Sequence, residues 1–180
     1  RCPGGEQYRP GSPGRAGQPS DRNRALALCR LVQLRHRSQV SRLAPQSDRR
    51  TWRARLEIAD TSFVACMVAN IHANKDHETL LNAWRIVVDA LRRDAVLVLA
   101  GRHYGAYESL VELTNELDLG KSVRFAGHVS DVAGLLSAVD LGVFSSRSEG
   151  CPNGVLECMA AGLAVVGTDI EGIREVVGEK

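Results

Sequence analysis

The chain has 180 residues, 44% of them hydrophobic, and a formal net charge of +2 at pH 7, which suits one domain with a buried core. No apolar run is long enough to cross a bilayer, and the five scattered cysteines lack the paired spacing of a zinc site. The composition therefore argues against a membrane-spanning protein or a zinc module, and the cysteine usage favours the reducing cytoplasm.

Residues 1–49 differ in composition from the rest of the chain. Residues 1–55 hold thirteen arginines and three acids, and five of the six prolines precede residue 46. We expect residues 1–49 to be a disordered or non-domain segment, with a short basic helix within residues 24–35. The open interpretations are a tail that binds polyanions or the inner membrane surface, a solvated arm, or a tail that is not native to the domain. Few aromatic residues interleave the arginines, so no specific nucleic-acid binding is expected.

Residues 50–180 alternate short apolar runs with longer amphipathic ones. The runs predict strands near residues 63–69, 95–100, 122–126, 140–145 and 164–167. The amphipathic segments predict helices near residues 76–92, 106–118, 131–138, 153–162 and 172–177. Strands that are apolar throughout and are each followed by a helix indicate an α/β, Rossmann-like domain, a parallel sheet with helices on both faces. Such sheets bind ligands at the carboxyl ends of their strands.

The most informative stretch is residues 145–162, in which Glu149 and Glu157 stand eight residues apart. Pro152 fits the first turn of a helix or the residue before it, and Asn153 can cap that helix. This places Glu149 on a loop after a strand and Glu157 about one turn into the following helix. The free N–H groups at the start of that helix favour an anion such as a phosphate.

This stretch closely resembles the Glu-x7-Glu signature of the retaining GT-B glycosyltransferases of group 1, the glycogen-synthase-like family. The resemblance continues in residues 64–84, 96–101, 123–129 and 167–175. It covers roughly residues 50–180, all of them similar to the family's C-terminal, donor-binding domain. The family's domain runs on past a point like residue 180, so we expect a C-terminally truncated domain that lacks its N-terminal acceptor domain.

The resemblance implies an enzyme that transfers a sugar from a nucleotide-sugar donor to a saccharide or lipid-linked saccharide acceptor, with retention of configuration. The donor would be linked to UDP, GDP or ADP, and no further cofactor is implied. The sequence contains no Asp-x-Asp motif, in agreement with a metal-independent mechanism. Alone, the fragment is expected to bind nucleotide weakly and to be inactive.

Four polar side chains are candidates through this resemblance. Lys75 matches the lysine that binds the diphosphate, and Asn70 stands where the family usually has an arginine. Glu149 would face the hydroxyls of the donor sugar, and Glu157 would accept hydrogen bonds from the ribose. We take Lys75 and Glu149 as the candidate catalytic residues, and we expect Asn70 to weaken or retune the donor site.

Backbone groups complete the candidate donor site. A second phosphate contact is expected from the backbone of residues 150–155, including Gly150, Asn153, Gly154 and Val155. Gly101 would leave room for the donor. The turn that contains Phe125, Gly127 and Val129 resembles the place where the family's backbone pairs with the edge of the base.

Two other functions fit the same architecture. One is a nucleotide-sugar epimerase, which residues 150–162 support less because they follow the transferase pattern closely. The other is a non-catalytic module that binds a nucleotide or a polyanion, the latter through the basic N-terminal segment.

Overall fold

The computed structural model describes residues 30–32 and 45–178. Its centre is a six-stranded sheet in the order β1-β6-β5-β2-β3-β4, in which neighbouring strands from β2 to β6 are parallel. This confirms the predicted Rossmann-like α/β class. The strands are β1 (Arg30–Val32), β2 (Phe63–Val68), β3 (Ala95–Ala100), β4 (Val123–Gly127), β5 (Leu141–Phe144) and β6 (Ala164–Gly167).

Two groups of helices cover the sheet. The helices are α1 (Arg49–Arg55), α2 (His77–Ala90), α3 (Tyr107–Glu116), α4 (Val132–Ser137), α5 (Asn153–Ala160) and α6 (Glu171–Val177). Helix α2 packs on α3, whereas α4 packs on α1 and α5, and α5 packs on α6. The five helices predicted after residue 75 are all present, with ends shifted by one or two residues. Helix α1 is an addition that the sequence pattern did not indicate.

Strand β1 corrects the prediction of a short helix within residues 24–35. Residues Arg30–Val32 form a strand that pairs antiparallel with Gly167 to Val165 of β6. Without this strand, β6 would present an edge with unpaired N–H and C=O groups, and a three-residue strand satisfies part of that edge. The rest of the segment predicted to be disordered or helical before residue 45 lies outside the described residues.

The middle of the sheet is fully covered. Every residue of β3 is buried, as are the four central residues of β2. The faces of these strands pack against apolar helix residues such as Leu81, Trp84 and Leu135. This burial on both faces explains why these strands are apolar throughout rather than alternating.

The sheet order contains a topological switch beside β2. From β2 the chain proceeds through β3 to β4 on one side, and it then returns to form β5 and β6 on the other side. The loops that leave the carboxyl ends of β2 and β5 therefore start in adjacent positions and diverge from a common crevice. Ligands of open α/β sheets bind in crevices of this kind.

Candidate functional site

The loops after β2 and β5 are hydrogen-bonded to each other at the switch point. The hydroxyl of Ser145 donates to the main-chain oxygen of Lys75 at 2.8 Å. The main-chain N–H of Arg147 donates to the oxygen of Asn74, also at 2.8 Å. These bonds hold two segments that are about 70 residues apart in sequence as one structural unit.

Lys75 and Glu149, the two candidate catalytic residues, meet across this crevice. The Lys75 ammonium donates to both carboxylate oxygens of Glu149, at 2.5 and 2.7 Å. The hydroxyl of the fully buried Ser146 donates to Oε1 of Glu149 at 2.5 Å. The Glu149 side chain is only 8% exposed and that of Lys75 is 22% exposed, so the pair is largely shielded from bulk water.

A second ion pair lies beside the first. Arg147 donates from Nε and Nη2 to the carboxylate of Asp76, at 2.9 and 3.1 Å. Asp76 has a left-handed backbone (φ 51°) and also accepts from the N–H of Thr79, which caps α2. Burial raises the pKa of Asp76, but the hydrogen bonds from Arg147 and Thr79 outweigh it and hold the pKa below its ordinary value. The residue after Lys75 is therefore fixed from two directions.

Helix α5 starts at the crevice with part of its first turn uncapped. Pro152 occupies the capping position and makes no side-chain cap, so the prediction that Asn153 caps the helix is wrong. Asn153 is the first helical residue, and its side-chain oxygen instead accepts from the Cys151 thiol at 3.5 Å. The N–H of Gly154 donates to no acceptor among the described residues. The start of α5 thus leaves a donor and the positive end of the helix dipole for an anion.

Glu157 lies one turn further along α5 and is half-buried. Burial raises the pKa of its carboxyl above the ordinary value. A carboxylate in such a position gains from hydrogen-bond donors that a ligand brings, because none of the described residues supplies one within bonding distance.

A cavity of about 270 Å³ joins these groups. Eight of the twelve candidate residues line it: Asn70, Lys75, Gly101, Val129, Glu149, Asn153, Gly154 and Glu157. The other lining residues are Val68, Ala69, Ala100, His128, Val132, Phe144, Cys151 and Pro152.

The other four candidates lie outside the lining. Phe125 packs edge-on against Tyr107, and Gly127 takes a left-handed turn (φ 64°) while its carbonyl accepts from Gly101. Gly150 is exposed, and Val155 is completely buried, with its N–H bonded to the oxygen of Pro152. The N–H of Val155 is therefore already occupied, which removes it from the expected phosphate contact.

Gly101 and Asn70 line the cavity and also hold the neighbouring loops and strand ends in place. A Cβ on Gly101 would stand 2.1 Å from the main-chain oxygen of Ala69, so a side chain there would collide with the neighbouring strand end. The sequence analysis expected a glycine here to leave room for the donor. Close packing against Ala69 also requires a glycine at this position. The Asn70 side-chain oxygen accepts from the N–H of Arg102 at 2.9 Å and ties together the loops after β2 and β3.

Sequence reasoning missed the groups that position the candidates. Ser146 orients Glu149, and its own carbonyl accepts from Thr168 at 2.6 Å, which fixes the loop to the end of β6. The Asp76–Arg147 pair was missed as well. The only sequence signal for Ser146 was a serine three residues before Glu149. The bonds of Arg147 depend on the sheet order and leave no local pattern.

Within residues 30–32 and 45–178, no helix combines the length and apolar character needed to cross a bilayer. In this described part of the chain, no three His, Cys, Asp or Glu side chains converge in a way that could hold a metal ion.

Comparison with known proteins decides the family. Residues 62–180 match the family described as glycosyl transferases group 1. The chain belongs to the group 1 glycosyltransferases. Its relatives include EpsD of Bacillus subtilis (strain 168), which is 33% identical over 122 residues that make up 66% of this chain and 30% of EpsD. The lipopolysaccharide core biosynthesis glycosyltransferase LpsE of Rhizobium meliloti (strain 1021) is 42% identical over 65 residues, 36% of this chain and 19% of LpsE.

Solved structures of glycosyltransferases share the fold. Anabaena Alr3699/HepE, solved in complex with UDP and glucose, matches 76% of this group 1 chain with a TM-score of 0.66 and 25% identity. WaaG, a glycosyltransferase of lipopolysaccharide biosynthesis, matches 65% of the chain with a TM-score of 0.58 and 23% identity, which shows the fold alone. The matches cover 37% of HepE and 31% of WaaG, so this group 1 chain spans about a third of these relatives.

Proposed function

We propose that this group 1 domain binds the nucleotide-sugar donor of a retaining, metal-independent glycosyl transfer in the cavity between β2, β5 and α5. One observation carries the proposal. The Lys75–Glu149 pair, the uncapped start of α5 and Glu157 all border one cavity at the topological switch point. The family match favours a transferase over an epimerase of the same architecture.

The cavity offers two devices that neutralise a diphosphate. When the bond between the anomeric carbon and the diphosphate oxygen breaks, the electron pair leaves with the diphosphate and negative charge builds there. The Lys75 ammonium and the N–H of Gly154 at the start of α5 stabilise that charge without a metal. The acceptor hydroxyl forms the new bond to the anomeric carbon on the face that the diphosphate leaves, and its proton passes to the departing diphosphate oxygen.

The two carboxylates bind opposite parts of the donor in this proposal. Glu149 accepts hydrogen bonds from the hydroxyls of the sugar, while its contact with Lys75 keeps the ammonium beside the bond that breaks. Glu157 accepts hydrogen bonds from the ribose hydroxyls, which compensate for the burial of its carboxylate. Ser146 keeps the Glu149 side chain in one orientation.

The nature of the donor is proposed from a relative. HepE was solved with UDP and glucose, and it is 25% identical to this chain. We therefore propose a UDP-linked hexose as the donor and place GDP and ADP second. We propose a saccharide or lipid-linked saccharide as the acceptor, held by an N-terminal acceptor domain that faces the cavity. We propose that these 180 residues by themselves bind UDP but turn over little donor.

Titration calorimetry with UDP tests the nucleotide contact of Glu157. Glu157→Ala strands the ribose hydroxyls without an acceptor, so we expect UDP affinity to fall by about 1–3 kcal/mol. Glu112→Ala is the matched control, because Glu112 is an exposed acid on α3 outside the cavity lining. Equal affinities for the wild type and Glu157→Ala would remove Glu157 from the site.

A further inference from the structure

A second, larger cavity lies at the opposite end of the strands from the donor cavity, where β3 and β4 begin. Its volume is about 560 Å³. It is bordered by the loop after α1, the end of α2 and the start of β4. The charged residues that line it are Glu57, Arg92, Arg93, Asp94, Lys121 and Arg124.

The four cations of this cavity lack acidic partners. Among the described residues, the ion pairs of basic side chains involve Arg49, Arg53, Lys75, Arg85, Arg147 and Arg174. No described carboxylate lies within 4.0 Å of the charged groups of Arg92, Arg93, Lys121 or Arg124. Elsewhere in this domain most basic side chains are neutralised, so four unpaired ones around a single cavity form a local excess of positive charge.

Two of the three guanidinium groups are held in place. Arg124 donates from Nε to the oxygen of Leu56 at 3.1 Å, and from Nη1 to the oxygens of Gly120, Lys121 and Val123 at 3.0–3.4 Å. These bonds leave Nη2 of Arg124 without an acceptor among the described residues. The Arg93 guanidinium lies over the Phe63 ring, 5.0 Å from its centre. Cations that are already ordered lose less entropy when they bind an anion.

We propose that this cavity, formed around Arg92, Arg93, Lys121 and Arg124, is a binding site for a phosphate-bearing anion. Arginine forks and a lysine ammonium suit phosphate oxygens, because each can make charge-assisted hydrogen bonds to them. Glu57 and Asp94 are the acids in the lining, so the balance of the six charges is positive. This site lies at the amino-terminal ends of the strands and the donor cavity lies at their carboxyl ends, so both sites can be occupied at once. The phosphate can belong to a free anion or to a phospholipid headgroup.

NMR titration of the ¹⁵N-labelled 180-residue chain tests the site. A measurement of total phosphate binding would not show where the anion binds, because residues 1–55 alone carry thirteen arginines. Chemical-shift changes of individual amides do locate the anion. With inorganic phosphate at constant ionic strength, we expect saturable shifts in residues 57–62, 91–96 and 120–124. In Arg92→Gln/Lys121→Gln, which alters two exposed side chains, the affinity read from these shifts falls at least about fivefold.

The control removes the same charge elsewhere. Arg102→Gln/Arg174→Gln alters two exposed cations outside the cavity and should keep the wild-type titration curve. Loss of the shifts in both double variants, or no shifts in the wild type, would overturn the proposal. Replacing phosphate with vesicles that contain an anionic phospholipid separates the two sources of the ligand. Binding to vesicles that depends on Arg92 and Lys121 assigns a headgroup, whereas shifts with phosphate alone assign a free anion.

Discussion

His77 is a buried titratable residue directly after the Lys75–Asp76 segment. It is 3% exposed, and its Nε2 has no hydrogen-bond partner among the described residues. Burial, with a smaller contribution from the Lys75 charge, lowers the pKa of His77 to about 4, from an ordinary value of 6.5. The residue that begins α2 is therefore neutral at physiological pH in the folded protein.

This depressed pKa predicts a specific loss of stability in acid. Between pH 6.5 and 4 the unfolded chain binds a proton at His77 that the folded chain does not, so the free energy of unfolding falls as the pH falls. The loss from this residue amounts to about 3 kcal/mol and stops below about pH 4, where both states are protonated. Urea unfolding from pH 7 to 4 should show a shallower dependence in His77→Leu. An identical dependence in both proteins would refute the assignment.

The three cysteines of the described region differ in chemical environment. Cys66 and Cys158 are buried, and burial raises the pKa of both thiols, to about 12 for Cys158. Cys151 is exposed and lines the donor cavity.

We predict that an alkylating reagent modifies Cys151 and spares Cys66 and Cys158 in the folded protein, because thiols react as accessible thiolates. Saturating UDP should slow the modification of Cys151 severalfold, since the bound nucleotide covers it. Peptide mass spectrometry after brief alkylation measures each site separately. Modification of Cys151 at the same rate with and without UDP would place the nucleotide elsewhere.

Helix α1 shows how a polar residue can act as a core residue. Arg53 is 1% exposed and donates to the main-chain oxygens of Ala138, Ala59, Asp60 and Ser62, at 2.8–3.1 Å. Its remaining nitrogen meets the Asp140 carboxylate at 3.3 Å. One side chain thus links α1 to the loop before β2 and to the start of β5.

Replacing Arg53 should therefore destabilise the whole domain. Arg53→Ala removes the guanidinium donor from the buried carbonyls of Ala138 and Ser62, and it also removes the bonds to Ala59, Asp60 and Asp140. We therefore expect the free energy of unfolding to fall by about 3–5 kcal/mol. Arg50→Ala is the control on the same helix, because Arg50 is exposed, and its effect should stay within about 0.5 kcal/mol. Urea denaturation compares the two. Similar effects of both substitutions would show that the bonds of Arg53 do not stabilise the domain.

The elements that the sequence predicted well are those that repeat an apolar pattern. Strands β2 and β3 are apolar throughout because both faces of the sheet are covered there, and this signal is local. Helix α1 was missed because it buries Trp52 and an arginine, a pair that breaks the usual hydrophobic pattern. Strand β1 was missed because three residues acquire their structure only by pairing with β6.

At the scale of the whole molecule, the candidate site depends on the order of the strands. Lys75 and Glu149 are 74 residues apart, and they meet because β2 and β5 are neighbours in the sheet. The sequence predicted both residues through the family motifs. It did not predict the direct ion pair between them, nor the bonds of Ser146 and Arg147, because these depend on how two distant loops face each other.

In the proposed donor complex, Lys75 and the start of α5 bind the diphosphate. The most direct measurement is the affinity ratio for UDP over UMP, obtained by calorimetry at fixed ionic strength for the wild type, Lys75→Gln and Arg50→Gln. We predict a clear preference for UDP in the wild type and in Arg50→Gln. In Lys75→Gln the ratio should fall about tenfold, because a charge-assisted contact to the second phosphate is lost. An unchanged ratio in Lys75→Gln would contradict the account.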